Sequence, residues 1–215
     1  MSAWNILLVD TSASMSSNKQ AVNQGIIDLF AEQKNNTDRF TFLTFNTNFK
    51  IIADSGFDEI DYEFILSSIL NTGLTSLYDS IGHVYEMIIK ENVENISLTI
   101  ITDGYENSSK VHTLSTLKNL RETIDKKCNF KVSFVCENKI VLDNNSAIIS
   151  HASESFEVSG DYVEAFRAVS RTMSRVRYPS INDSHYNEEE IESFTEPMIK
   201  RQTSYSKKKR PRLFH

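Results

Sequence analysis

Short runs of consecutive apolar residues alternate along this chain with longer segments in which apolar residues recur every three or four positions. The runs are too short and too continuous for amphipathic helices, and they are typical of strands covered on both faces. The wider spacing predicts helices. The predicted strands are Trp4–Val9, Ile96–Thr102, Phe130–Cys136 and Phe156–Val158, and the predicted helices cover residues 22–33, 61–70, 77–88, 113–127 and 161–176, with a weaker one near Ser146.

Two β-prone runs, Phe40–Phe45 and Phe49–Ala53, flank a three-residue polar turn and are predicted to form an antiparallel hairpin. The alternation of strands and helices predicts a doubly wound, Rossmann-like α/β sheet that is mostly parallel, carries the hairpin at one edge and has helices on both faces. Such sheets bind ligands at the carboxyl ends of their strands. We therefore expect the functional site in the loops after Val9 and Thr102 and before Leu77.

Oxygen-bearing side chains are concentrated in these three loops. Asp10, Ser12 and Ser14 follow the first strand at alternate positions, Thr75 precedes a helix, and Asp103 follows the central strand. Alternate side chains in a tight turn can point to one centre. Carboxylate and hydroxyl oxygens suit a hard divalent cation such as Mg²⁺, with Mn²⁺ or Ca²⁺ as alternatives. Two carboxylates roughly cancel the charge of the cation, which leaves it able to take a carboxylate from another molecule.

The segments Asp-Thr-Ser-Ala-Ser, Gly-Leu-Thr-Ser-Leu-Tyr-Asp and Thr-Asp-Gly occur in this order and resemble the metal-ion-dependent adhesion site of von Willebrand factor type A domains. The resemblance implies that Ser12 and Ser14 ligate a metal directly, and that Thr75 does so in the ligand-engaged state. It implies that Asp10 and Asp103 act directly or through water. It also implies a non-catalytic domain that binds the acidic side chain of a protein partner.

The resemblance covers about residues 3–176, with two departures from the family pattern. Ala13 stands between the two serines, where many relatives have glycine, and this small change should leave both hydroxyls in place. Gly73 and Leu74 stand where many relatives have paired glycines. We expect the bulky Leu74 to restrict the loop movement that accompanies ligand engagement.

The charges are unevenly distributed. Residues 1–176 carry 15 basic and 23 acidic side chains, a balance of −8, whereas residues 177–215 carry 8 basic and 6 acidic ones, a balance of +2. We predict a type A domain over the first range and an extended tail, acidic and then basic, over the second. Because apolar residues are scattered through the tail, we expect a partner or a neighbouring subunit to order it. An acidic folded body argues against nucleic-acid binding, except through Lys207–Arg212.

The amino-acid composition limits the expected cellular location and the expected chemistry of the two cysteines. The sequence has no run of roughly 18 to 20 apolar residues and no basic-then-apolar start, so we expect an intracellular, cytoplasmic protein without a membrane span. The basic end leaves a nuclear or virion-associated location open. Cys128 and Cys136 are expected to be buried or half-buried thiols.

Two other functions remain open from the sequence. One is a structural subunit of a large assembly such as a virion, attached through the tail. The other is a metal-dependent phosphoryl-transfer enzyme that uses Asp10, although such enzymes usually repeat the aspartate two positions later, where this chain has Ser12. His112 is the candidate base for a serine nucleophile, but an exposed loop histidine is the commoner case. Ser76 and Asp79 have the spacing of a helix capping box.

Overall fold

A computed structural model describes residues 3–33, 36–103, 105–136, 154–157 and 162–177. The strands in these ranges are Trp4–Asp10 (β1), Arg39–Phe45 (β2), Phe49–Gly56 (β3), Asn95–Ile101 (β4), Asn129–Cys136 (β5) and Glu154–Glu157 (β6). The helices are Lys19–Glu32 (α1), Tyr62–Ser68 (α2), Leu77–Lys90 (α3), Leu114–Asp125 (α4) and Tyr162–Arg177 (α5), with short 3₁₀ helices at Ala13–Ser17 and Phe57–Glu59. The predicted helix near Ser146 and the tail beyond Arg177 lie outside the described residues.

The strands form one sheet in the order β3-β2-β1-β4-β5-β6. Among the described strands, β2 and β3 are the one antiparallel pair, and the other neighbours run parallel. This confirms the predicted mostly parallel sheet with an edge hairpin. Val9 of β1 pairs with Ile101 of β4. The two strands therefore end side by side, and the residues that follow them meet at the same edge of the sheet.

The apolar run of β1 explains the position of the helices. Every residue of β1 is buried, and alternate side chains point to opposite faces of the sheet. Ile6 and Leu8 pack in a core that includes residues of α3 and α4, whereas Leu7 and Val9 pack in a core that includes residues of α1 and α5. Helices therefore cover both faces, as the continuous run predicted.

A polar network around the buried Trp4 joins the edge hairpin of β2 and β3 to β1. Its indole Nε1–H donates to the Thr41 hydroxyl oxygen at 2.7 Å, and that hydroxyl donates to Asp54 at 2.7 Å. Arg39 donates two hydrogen bonds to Asp54, at 2.9 and 2.8 Å, and its guanidinium carbon lies 4.2 Å from the Trp4 ring centre. These bonds from Arg39 lower the pKa of Asp54. The network ties β1, β2 and β3 together.

Both cysteines match their predicted environment, since Cys136 is buried and Cys128 is half-buried, and neither is in a disulfide. None of the helices in the described part of the chain combines the length and the apolar character that crossing a membrane requires. The cytoplasmic location stays a prediction.

Candidate metal centre

Asp10 lies at the buried bottom of the candidate site. It ends β1 with no exposed surface. One carboxylate oxygen accepts the backbone N–H of Ser12 at 2.7 Å, and the other accepts the Thr102 hydroxyl at 2.6 Å. Burial raises the pKa of Asp10 to about 6, against the lowering effect of these hydrogen bonds, and the charge of Asp103 adds to the rise. An ionised Asp10 is therefore costly unless a positive charge lies beside it.

A chain of oxygen atoms leads from this buried strand end to the surface. The Ser12 and Ser14 hydroxyl oxygens lie 3.1 Å apart, and the Ser14 hydroxyl donates to an Asp103 carboxylate oxygen at 2.8 Å. Ser12 is buried and Ser14 is exposed. Burial raises the pKa of Asp103, while its hydrogen bond with Ser14 opposes the rise. The structure thus brings four of the five predicted site residues together across the ends of β1 and β4.

The spacing and chemistry of these atoms fit a hard cation. Neighbouring oxygen ligands of an octahedral Mg²⁺ bound at about 2.1 Å lie about 3.0 Å apart. The two oxygen separations along Ser12, Ser14 and Asp103, 3.1 and 2.8 Å, bracket that value. The donors are carboxylates and hydroxyls, the ligands that Mg²⁺ and Mn²⁺ take in preference to nitrogen or sulfur. A cation here would also offset the charge of the buried Asp10.

Thr75 is joined to the site through backbone contacts. The Ala13 N–H donates to the Gly73 carbonyl oxygen at 3.2 Å, which links the loop of Thr75 to the loop of the two serines. Thr75 itself is buried, and its N–H donates to the Asn107 side-chain oxygen at 2.9 Å. Its carbonyl oxygen accepts the N–H groups of Asn107 and Ser108, at 3.1 and 3.2 Å. Among the described contacts, the Thr75 side chain does not join the cluster of Asp10, Ser12, Ser14 and Asp103.

The conformation of this loop depends on Gly73. Its φ of 79° is in the left-handed region, and a Cβ at this position would lie 2.8 Å from the Thr47 hydroxyl oxygen. That oxygen accepts the Leu74 N–H at 2.9 Å. The Leu74 side chain itself is 55% exposed. The bulky residue therefore points away from the core of the loop, and its effect on loop movement stays a prediction.

Asp79 does not form the capping box that its spacing predicted. Its carboxylate accepts the backbone N–H groups of Lys110, Val111 and His112, at 2.8, 2.9 and 2.7 Å. Burial opposes ionisation, but these three bonds outweigh it and lower the pKa of Asp79. The Ser76 hydroxyl donates to the Asn46 carbonyl oxygen. The first turn of α3 thus anchors the loop that follows Asp103.

Glu106 is a supporting residue that the sequence did not indicate. Its carboxylate accepts the Tyr78 N–H at 2.8 Å, and it also accepts the N–H groups of Ser108 and Ser109, at 2.9 and 2.7 Å. Glu106 therefore fastens the same loop to the start of α3. The relevant partner lies 28 positions away, so no local spacing could have revealed it.

His112 is a correction to the expected exposed loop histidine. Its side chain is only 8% exposed. The ring packs against Gly82 of α3 and lies edge-on to His83, with ring centres 5.8 Å apart. Among the described contacts, the ring meets residues of α3 and none of the serines of the oxygen cluster.

Taken together, the fold and the cluster define a doubly wound α/β domain with a group of side-chain oxygen atoms at the carboxyl edge of its sheet. Residues 6–106 match the family model described as von Willebrand factor type A domain. Over these residues the chain matches that family, as the three sequence motifs predicted, and its fold is the one that such domains have. No curated protein sequence matches the chain.

Solved structures with the same fold are distant in sequence. A von Willebrand factor type A protein from Catenulispora acidiphila has a TM-score of 0.59 at 11% identity, with 80% of this chain and 43% of that chain covered. The PilB minor pilin from Streptococcus sanguinis has a TM-score of 0.62 at 10% identity, with 81% and 62% covered. The vWF domain of the type V pili tip protein Mfa5 from Porphyromonas gingivalis has a TM-score of 0.64 at 8% identity, with 87% and 98% covered. The chain thus spans less than two thirds of the first two proteins.

Proposed function

We propose that this chain is a non-catalytic protein-interaction module that binds a carboxylate of its partner through a divalent cation. Asp10, Ser12, Ser14, Thr75 and Asp103 would hold the cation, which by ligand type would be Mg²⁺, with Mn²⁺ or Ca²⁺ as alternatives. The observation that carries the proposal is the run of oxygen atoms at 3.1 and 2.8 Å spacing between the ends of two adjacent strands.

The charge of the site favours an acidic partner group. Asp10 and Asp103 together offset the two charges of the cation, and the hydroxyls of the serines add ligands without adding charge. A carboxylate entering an open position is then attracted by the metal at close range and meets little net repulsion. A neutral or basic group lacks this attraction. The cation would supply Lewis acidity for binding the partner oxygen.

The surface around the site offers a second source of affinity. Leu74, one residue before Thr75, is 55% exposed, and Tyr105, two residues after Asp103, is 45% exposed. Apolar and aromatic side chains beside a charged contact are typical of the centre of protein interfaces. We propose that both side chains border the contact with the partner.

Two of the structurally similar proteins are named as pilus components, a minor pilin and a pili tip protein. Both names describe proteins that are parts of assemblies, which agrees with an interaction role for this fold. We extend only that role to this chain. We also propose that the domain ends near residue 176 and that residues 177–215 are an arm for a second contact.

A peptide array tests the proposal. The full chain is applied in Mg²⁺ to peptides that carry one aspartate or glutamate, and to matched copies with asparagine or glutamine. We expect binding to acidic peptides only, with loss in EDTA and in the double variant Asp10→Ala, Ser12→Ala. Equal binding to the acidic and amide copies, or binding that survives EDTA, would reject a metal-bridged carboxylate.

A further inference from the structure

A second cluster of metal-binding side chains lies on α3, apart from the oxygen ligands. His83 and Glu86 are three positions apart on this helix and so share one face. His112 reaches the same place from the loop before α4. One ligand atom from each of the three residues lies within 4.8 Å of the other two. Among these atoms, His112 Nε2 lies 3.7 Å from a Glu86 carboxylate oxygen.

His112 is buried with its ligand nitrogen unsatisfied. The side chain is 8% exposed, and Nε2 has no hydrogen-bond partner among the described residues. A buried polar atom left unpaired costs about 1 to 3 kcal/mol. This nitrogen points toward Glu86, the nearest acid in the cluster. A metal ion at this position would supply the missing partner.

The helix makes room for this imidazole. A Cβ at position 82 would lie 2.2 to 2.6 Å from three atoms of the His112 ring, so the ring occupies space that only glycine leaves free. Glycine in a helix interior costs roughly 1 kcal/mol relative to alanine. The backbone of His112 is fixed as well, because its N–H donates to Asp79 at 2.7 Å. One ligand of the cluster is therefore held in place before any metal binds.

We propose that His83, Glu86 and His112 form a site for a transition-metal dication of the Zn²⁺ class. Two imidazoles and one carboxylate are a ligand set that Zn²⁺ takes, and they leave a fourth position open. Tetrahedral Zn²⁺ with ligands at about 2.1 Å places them about 3.4 Å apart. His83 and Glu86 are both half-buried. We expect rotation of these two side chains to close the spacing toward the fixed His112.

The two sites select different metals. Nitrogen ligands favour Zn²⁺, Co²⁺ and Ni²⁺, whereas the oxygen cluster at Asp10 favours Mg²⁺. An excess of Mg²⁺ therefore leaves the histidine site free for Zn²⁺ while the oxygen site is saturated. The net charge at the histidine site is about +1, which leaves its open position able to take water or an acidic group.

Zn²⁺ titration of the metal-stripped full chain in excess Mg²⁺, followed by calorimetry, tests the site. We expect one Zn²⁺ per chain, with affinity reduced about a hundredfold in His83→Ala and in Glu86→Gln. Both substitutions are on the helix surface, so circular dichroism should show an intact fold. Co²⁺ should give the visible absorption of a four-coordinate nitrogen and oxygen site, and this absorption should disappear in His83→Ala.

Two control variants exclude other sources of the signal. His151→Ala, His185→Ala, His215→Ala removes the remaining histidines, and Asp10→Ala, Ser12→Ala removes the oxygen cluster. We expect both to bind Zn²⁺ as the unmodified chain does. Equal Zn²⁺ affinity in the unmodified chain and His83→Ala would overturn the proposal. So would loss of binding in either control variant.

Discussion

Replacing Asp10 with asparagine should stabilise the metal-free protein and remove the stabilisation that Mg²⁺ provides. Burial raises the pKa of Asp10 from 3.8 to about 6. The Asp10 carboxyl group therefore holds its proton more tightly in the folded chain than in the unfolded chain. The stability that protonated Asp10 contributes is fully present below pH 3.8 and is lost as the pH rises through about 6. Because the pKa of Asp10 differs by about 2 between the folded and unfolded chain, the ionised carboxylate lowers the free energy of unfolding by about 3 kcal/mol at pH 7.

Asparagine keeps the shape of Asp10 without the charge. Its oxygen can accept the Ser12 N–H, and the Thr102 hydroxyl can rotate to accept the new amide N–H. In EDTA at pH 7, we expect Asp10→Asn to raise the free energy of unfolding by up to about 3 kcal/mol, with a gain near zero at pH 4. Mg²⁺ at about 100 times its Kd should stabilise the unmodified chain by about 2.7 kcal/mol and the variant hardly at all.

Urea unfolding at pH 4 and pH 7, each in EDTA and in Mg²⁺, measures these differences. Asp58→Asn, a change of an exposed aspartate, is the control for a general effect of charge removal. The reasoning is refuted if Asp10→Asn is no more stable than the unmodified chain in EDTA at pH 7. It is also refuted if the difference between the two proteins does not change with pH.

Three substitutions test the packing between α1 and α5, the polar network at Trp4, and the loop beside the site. Gly25→Ala places a Cβ 2.1 Å from the buried Phe166 ring. Overpacking should outweigh the better helix propensity of alanine and lower the free energy of unfolding in urea by about 1 to 3 kcal/mol. An unchanged unfolding midpoint would contradict this. Thr41→Val leaves the Trp4 indole N–H without its acceptor and should cost about 1 to 3 kcal/mol by tryptophan fluorescence, while Thr41→Ser should cost less. Asp79→Ala should cost about 2 kcal/mol and speed hydrogen exchange at the three backbone amides that Asp79 binds, and unchanged exchange would argue against its anchoring role.

Elements that depend on a residue's own neighbours could be predicted from the sequence. The run Trp4–Val9 became a fully buried strand because continuous apolar residues need cover on both faces. The spacing of Leu77, Ile81, Val84 and Ile88 placed one stripe of α3 in the core. The oxygen cluster followed from these elements, since two parallel strands that end side by side must bring their loops together.

Contacts between distant segments could not be predicted in this way. Asp79 has the local spacing of a capping box, yet it binds three backbone amides about 30 positions further along the chain. Glu106 reaches back to the start of α3 in the same manner. His112 was expected to be exposed, and its burial depends on the space beside Gly82 in another element. In each case a tertiary contact replaces the local pattern.

A direct metal titration tests the central claim. Mn²⁺ is added to the metal-stripped unmodified chain and to Asp10→Ala, Ser12→Ala, and free Mn²⁺ is followed by electron paramagnetic resonance. One equivalent of Zn²⁺ is present to occupy the proposed histidine site, since an excess would also compete with Mn²⁺ for the oxygen site. The account predicts one Mn²⁺ bound per unmodified chain, displaced by Mg²⁺, and none bound by the double variant. Identical, negligible Mn²⁺ binding in both proteins would contradict it.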